Sequence, residues 1–165
     1  MIQKKICMVG VYGTGKTSLV RQFVSSRFSE KYHSTVGVKI DRKSVELGGD
    51  QVNLILWDVA GSDDTEDVPM SYLRGAAGLF YVADGTRPDT VEKLSALQAR
   101  ALEALGDVPS VVAINKVDLV DQWRVGDDAA EAMRRAGRHV LKTSAKSGQG
   151  VERAFHWLAE QTVAR

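Results

Sequence analysis

Apolar residues in this chain come in two rhythms, unbroken short runs and stripes spaced at three and four, and the two alternate. Ile6-Cys-Met-Val9, Leu79-Phe-Tyr-Val-Ala83 and Val111-Val-Ala-Ile114 are runs of strand length, and Val140-Leu-Lys-Thr143 is a shorter one. Between them, Leu19, Val20, Phe23 and Val24 share one helical face. Val91, Leu94, Leu97, Ala101 and Leu105 share another, on a long helix opened by Pro88 and Asp89 and stopped by Gly106. Asp127 to Ala136 predicts a helix of alanine and charge ended by Gly137, and Val151, Ala154, Phe155, Leu158, Ala159 and Thr162 form the stripe of the last helix. Val38 to Leu47 and Gln51 to Asp58 flank Gly48-Gly49-Asp50. The alternation of Val52, Leu54 and Leu56 against Asn53, with the glycine pair, predicts a hairpin. Ser25 to Gly37 and the start of Ala60 to Arg74 show no period and read as loops, with a short helix after Pro69.

Unbroken apolar strands separated by amphipathic helices predict an α/β fold, a mostly parallel sheet covered on both faces with one antiparallel edge. Ligands of such sheets sit beyond the carboxyl ends of the strands, and here the polar residues with chemical potential all follow strands.

Composition narrows this little. The 165 residues suit a single domain spanning 1–165, and 44% apolar with 26% charged is ordinary for a globular protein. A net charge of +1 offers no basic field for nucleic acid. The lone Cys7 lies in an apolar run and reads as a small buried hydrophobe in a reducing compartment. No membrane-length run, secretory leader or C-terminal prenylation cysteine is encoded, so the expectation is a cytoplasmic monomer without a lipid anchor. His33, His139 and His156 lack metal-ligand spacing, Lys4-Lys5 and Arg134-Arg135 read as solvated charges, and Trp123 reads as partial core or cover.

The chemistry begins at Gly10-Val-Tyr-Gly-Thr-Gly-Lys-Thr17, which fits G-x-x-x-x-G-K-[ST] between a strand and a helix. A helix start presents backbone N–H groups with no intrahelical partner, suited to phosphate. Gly13 and Gly15 let the main chain approach closely, Lys16 supplies positive charge to the β and γ phosphates, and the Thr17 hydroxyl suits Mg²⁺. Asp58 ends an apolar strand, where its carboxylate can hold Mg²⁺ through water, and the Gly61 N–H three residues on can reach a γ phosphate. After the next apolar run comes Asn115-Lys116-Val-Asp118. An aspartate accepts two hydrogen bonds from the N1–H and 2-amino group of guanine, which adenine lacks. An unpaired buried carboxylate therefore rejects the wrong base by about 10⁴–10⁵. Asn115 can serve the purine's other edge and the stem of Lys116 can cover the ring. Thr143-Ser-Ala-Lys146 closes the set, with the Ala145 N–H suited to an exocyclic carbonyl.

In order and spacing, Gly10-x4-Gly15-Lys16-Thr17, Thr35, Asp58-x-x-Gly61, Asn115-Lys116-x-Asp118 and Ser144-Ala145-Lys146 resemble the Ras-like small GTPases. Ser34-Thr-Val-Gly37, Trp57 and Ser71-Tyr-Leu-Arg-Gly-Ala-Ala-Gly78 resemble the Rab-like branch, and alanine, arginine and aspartate content is compatible with a prokaryotic member. The resemblance spans essentially the whole chain. It implies a P-loop NTPase with a six-stranded sheet and five helices, a switch that binds GDP or GTP with Mg²⁺ and hydrolyses GTP. It implies a nucleotide held by Tyr12, Gly13, Thr14, Gly15, Lys16, Thr17, Ser18, Phe28, Thr35, Asp58, Gly61, Asn115, Lys116, Asp118, Ser144, Ala145 and Lys146, with Phe28 beside the guanine. Thr17, Thr35 and Asp58 would serve the metal, and Lys16, Thr35, Gly61 and Ser62 would stand at the reacting phosphate. Effectors, an exchange factor and an activating protein would read residues about 28–38 and 60–75.

Two positions depart from that pattern. Ser62 stands where such proteins usually carry the glutamine that orients the attacking water, and Tyr12 stands where glycine or serine is usual. Serine is too short for the same reach, and a tyrosine ring near the γ phosphate obstructs a partner's arginine. The expectation is slow hydrolysis without a partner, with Asp63 as another candidate for placing the water. The rival readings are a GTP-loaded scaffold with negligible hydrolysis and a P-loop kinase or ATPase, the latter opposed by Asn115 to Asp118.

Overall fold

The computed structural model describes residues 2–26, 38–59 and 70–164. In chain order these form β1 (Ile2–Val9), α1 (Lys16–Ser25), β2 (Val38–Leu47), β3 (Asp50–Val59), α2 (Met70–Leu73), β4 (Gly78–Asp84), α3 (Pro88–Leu105), β5 (Ser110–Asn115), α4 (Asp127–Arg135), β6 (Val140–Lys142) and α5 (Val151–Val163). A single 3₁₀ turn, Val120–Gln122, follows β5. The strands make one six-stranded sheet in the order β2-β3-β1-β4-β5-β6. All neighbours are parallel except β2 and β3, whose antiparallel register runs from Val38 opposite Val59 to Leu47 opposite Asp50. The mostly parallel sheet, its single antiparallel edge and the five helices are those expected.

Why the apolar runs are unbroken is visible in how alternate side chains divide. Ile6, Met8, Phe80, Val82, Val111 and Ala113 pack on one face against Leu19, Phe23, Phe155 and Leu158 of α1 and α5. Cys7, Val9, Leu79, Tyr81, Val112 and Ile114 pack on the other against Tyr72, Leu94, Leu97 and Ala130 of α2, α3 and α4. A strand covered on both sides has no solvent face, so it loses period-two alternation. Phe155 anchors the first layer, stacked on Phe23 at 4.2 Å and on Phe80 at 4.3 Å between ring centroids.

The hairpin turn is formed by Gly48 and Gly49, both at positive φ (57° and 88°), the geometry that joins two twisted strands through two residues. β1 begins at Ile2, earlier than its apolar run, because Ile2 to Lys5 pair with Val52 to Ile55 of β3. Backbone pairing continues there where side-chain periodicity gives no sign of it. The 3₁₀ turn likewise had no periodic signature.

Lys5 corrects the expectation of a solvated charge. Its Nζ donates to the carbonyls of Tyr72 and Arg74, both at 2.8 Å, and lies 3.8 Å from the Trp57 ring centroid. The Tyr72 hydroxyl donates to the Trp57 carbonyl, so Tyr72 ties α2 to both β1 and β3. Arg134 is also engaged, donating to the Val140 carbonyl at 3.1 Å. Cys7 is buried as expected, and burial pushes its thiol up to about 12, which keeps it inert.

Trp123 is a cover residue. It packs over Gly85, where an added Cβ would stand 1.9 Å from the indole, while the Gly85 carbonyl accepts from the Arg124 and Val125 N–H groups. His139 stacks on Trp157 at 3.9 Å, and His156 lies 3.4 Å from Glu160. His33 lies outside the described residues. Among the described residues no cluster of three His, Cys, Asp or Glu side chains is found, and no helix is long and apolar enough to cross a membrane.

Candidate functional site

The loop from Gly10 to Gly15 carries β1 into α1 at the carboxyl edge of the sheet. Gly15 takes a φ of 104°, which a side chain resists, and a Cβ there would stand 2.3 Å from the Asn115 amide nitrogen. Lys16 is buried, and its Nζ donates to the carbonyls of Gly10 (2.8 Å) and Val11 (3.2 Å) within the arch of the loop. Burial pushes its ammonium down to about 8, against Asp58, which favours the charge, and with Arg87, which opposes it. A lysine in that condition gains on meeting an oligophosphate, because the anion restores the partner that burial took away.

Thr17, in the first turn of α1, donates its hydroxyl to Asp58 Oδ2 at 2.5 Å. The hydroxyl oxygen keeps lone pairs while its proton is committed to the carboxylate. Two hard oxygen donors at the mouth of a phosphate loop fit Mg²⁺, which takes few protein ligands and fills its shell with water and phosphate. Met8 and Asp58 are neighbours across the β1–β3 ladder, which is how two segments 41 residues apart deliver these groups together.

The second half of the site hangs from β5. Asn115, buried, donates Nδ2 to the Thr14 carbonyl (3.1 Å), and its Oδ1 accepts from the Thr143 hydroxyl (3.1 Å) and the Ala145 N–H (3.3 Å). One side chain thus joins the phosphate loop, the end of β5 and the loop after β6. Asp118 Oδ1 accepts from the Ser144 hydroxyl at 2.8 Å, and the Ser144 Oγ itself accepts from the Ser147 N–H at 3.0 Å. Lys116, at a φ of 75°, sends Nζ to the Gly13 carbonyl (3.0 Å) and to Asp84 Oδ2 (2.7 Å). Its stem therefore crosses above the loop.

Of the residues anticipated, the structure brings together Tyr12 to Ser18, Asp58, Asn115, Lys116, Asp118, Ser144 and Ala145; Lys146 follows on the exposed side of the same loop. Phe28, Thr35, Gly61, Ser62 and Asp63 lie outside the described residues.

One cluster was missed. Asp84 ends β4 and is buried; its Oδ1 accepts from the Thr86 N–H (2.8 Å) and hydroxyl (2.6 Å). Its Oδ2 accepts from Lys116 and from Arg87 Nε (3.1 Å), while Arg87 Nη2 reaches the Tyr12 carbonyl at 2.8 Å. Burial alone would push the Asp84 carboxyl up, but the hydrogen bonds from Lys116 and Thr86 outweigh it and hold it below its ordinary range. A signal existed: like Asp58 and Asn115, Asp84 is the first polar residue after an apolar strand at the ligand edge.

A phosphate loop on a doubly covered, mostly parallel sheet, with a carboxylate beside its threonine and an Asn-Lys-x-Asp loop closing over it, defines a small P-loop GTPase. Comparison with known proteins gives the family. The Ras family model matches residues 5–164. Human Ras-related protein Rab-4B is 38% identical over 159 residues, covering 92% of this chain and 72% of that protein. Ras-related protein Rab-1 of Theileria annulata is 32% identical over 159 residues, covering 94% of this chain and 72% of that protein. The chain belongs to the Ras family, in its Rab-like branch: a GTP-binding switch with GTPase activity.

Proposed function

We propose that this protein binds GDP and GTP with Mg²⁺ at the Gly10–Thr17 loop and hydrolyses GTP slowly unless a partner assists. The observation that carries the reading is the reach of Asn115 to the Thr14 carbonyl, the Thr143 hydroxyl and the Ala145 N–H, which holds a base-selecting loop against a phosphate-binding one. Asp118, oriented by Ser144, accepts from the guanine N1–H and 2-amino group, and Ala145 N–H meets the exocyclic oxygen. The stem of Lys116 covers the ring, and the family resemblance assigns Phe28 to the guanine as well. The amides of Gly13 to Ser18 and the Lys16 ammonium hold the phosphates. Bound Mg²⁺ would neutralise phosphate charge, held by Thr17 and Thr35 directly and by Asp58 through water.

Catalysis by these residues is positioning and electrostatics. Lys16, desolvated before the ligand arrives, follows charge on the γ phosphate, and the Gly61 N–H supports the same group. Ser62 is too short to fix the attacking water as a glutamine does, and the Tyr12 ring restricts access by an external arginine. We propose a soluble, monomeric switch in the cytoplasm that partners read through residues about 28–38 and 60–75. In β2, which continues from the first of these stretches, Val38 and Ile40 are 46% and 47% exposed, and Ile40 lies directly across from Trp57. A second reading, a GTP-loaded scaffold with negligible turnover, is favoured by the same Ser62.

The test is displacement of a fluorescent GDP by GDP, GTP, ADP and ATP, with and without Mg²⁺. The expected result is guanine selectivity of about 10⁴ or more and faster release in EDTA. Equal displacement by ADP removes Asp118 from base selection, and release indifferent to EDTA removes the metal.

A further inference from the structure

The carbonyls of Tyr12, Gly13 and Thr14 are each gripped by a side chain from outside the loop: Arg87 Nη2 at 2.8 Å, Lys116 Nζ at 3.0 Å and Asn115 Nδ2 at 3.1 Å. No peptide bond in the described residues is cis. In a trans peptide the C=O and the following N–H point in opposite directions across one rigid plane. Holding those oxygens therefore turns the N–H groups of Gly13, Thr14 and Gly15 away from the gripping side chains. Two of the grips come from the Asn-Lys-x-Asp loop already assigned to the base. The third does not.

We infer that Arg87 is a positioning residue for nucleotide binding: it fixes the Tyr12–Gly13 peptide so that the Gly13 N–H faces the phosphates before they arrive. The inference rests on the guanine-nucleotide reading above and adds a residue to it. Arg87 is suited to this because its planar fork spans two acceptors at once, Nε on Asp84 and Nη2 on Tyr12. The buried Asp84 carboxylate offsets the mutual repulsion of Arg87 and Lys116, so two cations can stand on consecutive carbonyls. The guanidinium also lies flush on the loop: a Cβ on Gly13 would come within 3.3 Å of Nη2, and Gly13 sits at a φ of 77°. Without Arg87 the Tyr12 carbonyl loses this grip, and part of the alignment must come from the nucleotide itself.

The experiment is stopped-flow dissociation of fluorescent GDP and fluorescent GTP from wild type, Arg87→Ala and Arg87→Lys, each in Mg²⁺ and in EDTA, with thermal midpoints at saturating GDP. A charge-assisted hydrogen bond lost at a side chain that is 41% exposed predicts release about tenfold faster for Arg87→Ala. The factor should be the same for both nucleotides and persist in EDTA, because the amide acts without the metal. Arg87→Lys should fall between, since an ammonium reaches one acceptor and not both. A purely structural arginine would instead lower the thermal midpoint and leave release unchanged. Release from Arg87→Ala within about twofold of wild type overturns the inference alone. No binding of either nucleotide by wild type overturns the guanine reading and the inference with it.

Discussion

Asn115→Ala tests the architecture of the site most directly, because one amide serves three segments. The substitution removes the donor to the Thr14 carbonyl and the acceptor for the Thr143 hydroxyl and the Ala145 N–H. All three residues are buried, Thr14 and Thr143 completely. A buried polar group stripped of its partner costs about 1–3 kcal/mol, so the Thr14 carbonyl and the Thr143 hydroxyl together set a scale of about 2–6 kcal/mol. Water entering the vacated space recovers part of it, leaving an expected loss of about 2–4 kcal/mol. Against a total stability of about 5–15 kcal/mol for such a domain this is large. The assay is urea unfolding followed by tryptophan fluorescence at two GDP concentrations. Ligand stabilises the fold by RT ln(1 + [L]/Kd), so loss common to both concentrations belongs to the fold, and loss growing with GDP belongs to binding. Thr143→Val, which removes one of the three bonds at constant shape, should lose about 1 kcal/mol. A loss under about 1 kcal/mol for Asn115→Ala at both concentrations would refute the idea that this amide carries the joint.

Lys16 gives a proton signature. Its folded pKa of about 8 lies below 10.5, so between those values the unfolded chain holds more protons and the ligand-free fold gains stability as pH rises. Phosphates restore the charge, so binding at pH 8 should take up roughly half a proton, fading towards pH 7. Titration calorimetry in two buffers of different ionisation enthalpy measures this, and zero uptake at pH 8 contradicts it. Gly85→Ala places a Cβ against the Trp123 ring and should cost about 1–3 kcal/mol with a shift in tryptophan emission; an unchanged thermal midpoint would show that the cover moves freely. Ser62→Gln or Tyr12→Gly should speed single-turnover hydrolysis by about tenfold or more, and if neither does, another group such as Asp63 places the water.

Much of this protein was legible along the chain because its controls are local. Strand and helix follow from whether Ile6 to Val9 are buried on two sides or Leu94 and Leu97 on one stripe, and phosphate binding follows from glycines that neighbours in sequence make usable. The Asp58 and Asn115 positions were readable too, since ligands of a mostly parallel sheet bind beyond the carboxyl ends of its strands. What the chain alone left open concerns contacts between segments far apart in number. Lys5 reads as a solvated charge until β1, β3 and α2 bring the carbonyls of Tyr72 and Arg74 to it. Arg87 reads as the residue before a helix until β4 lies beside β1 and delivers it to Tyr12, 75 positions away. A hydrogen bond depends on distance in space to within a fraction of an ångström. Periodicity records which side of an element is buried, and only the assembled sheet sets which carbonyl faces which cation.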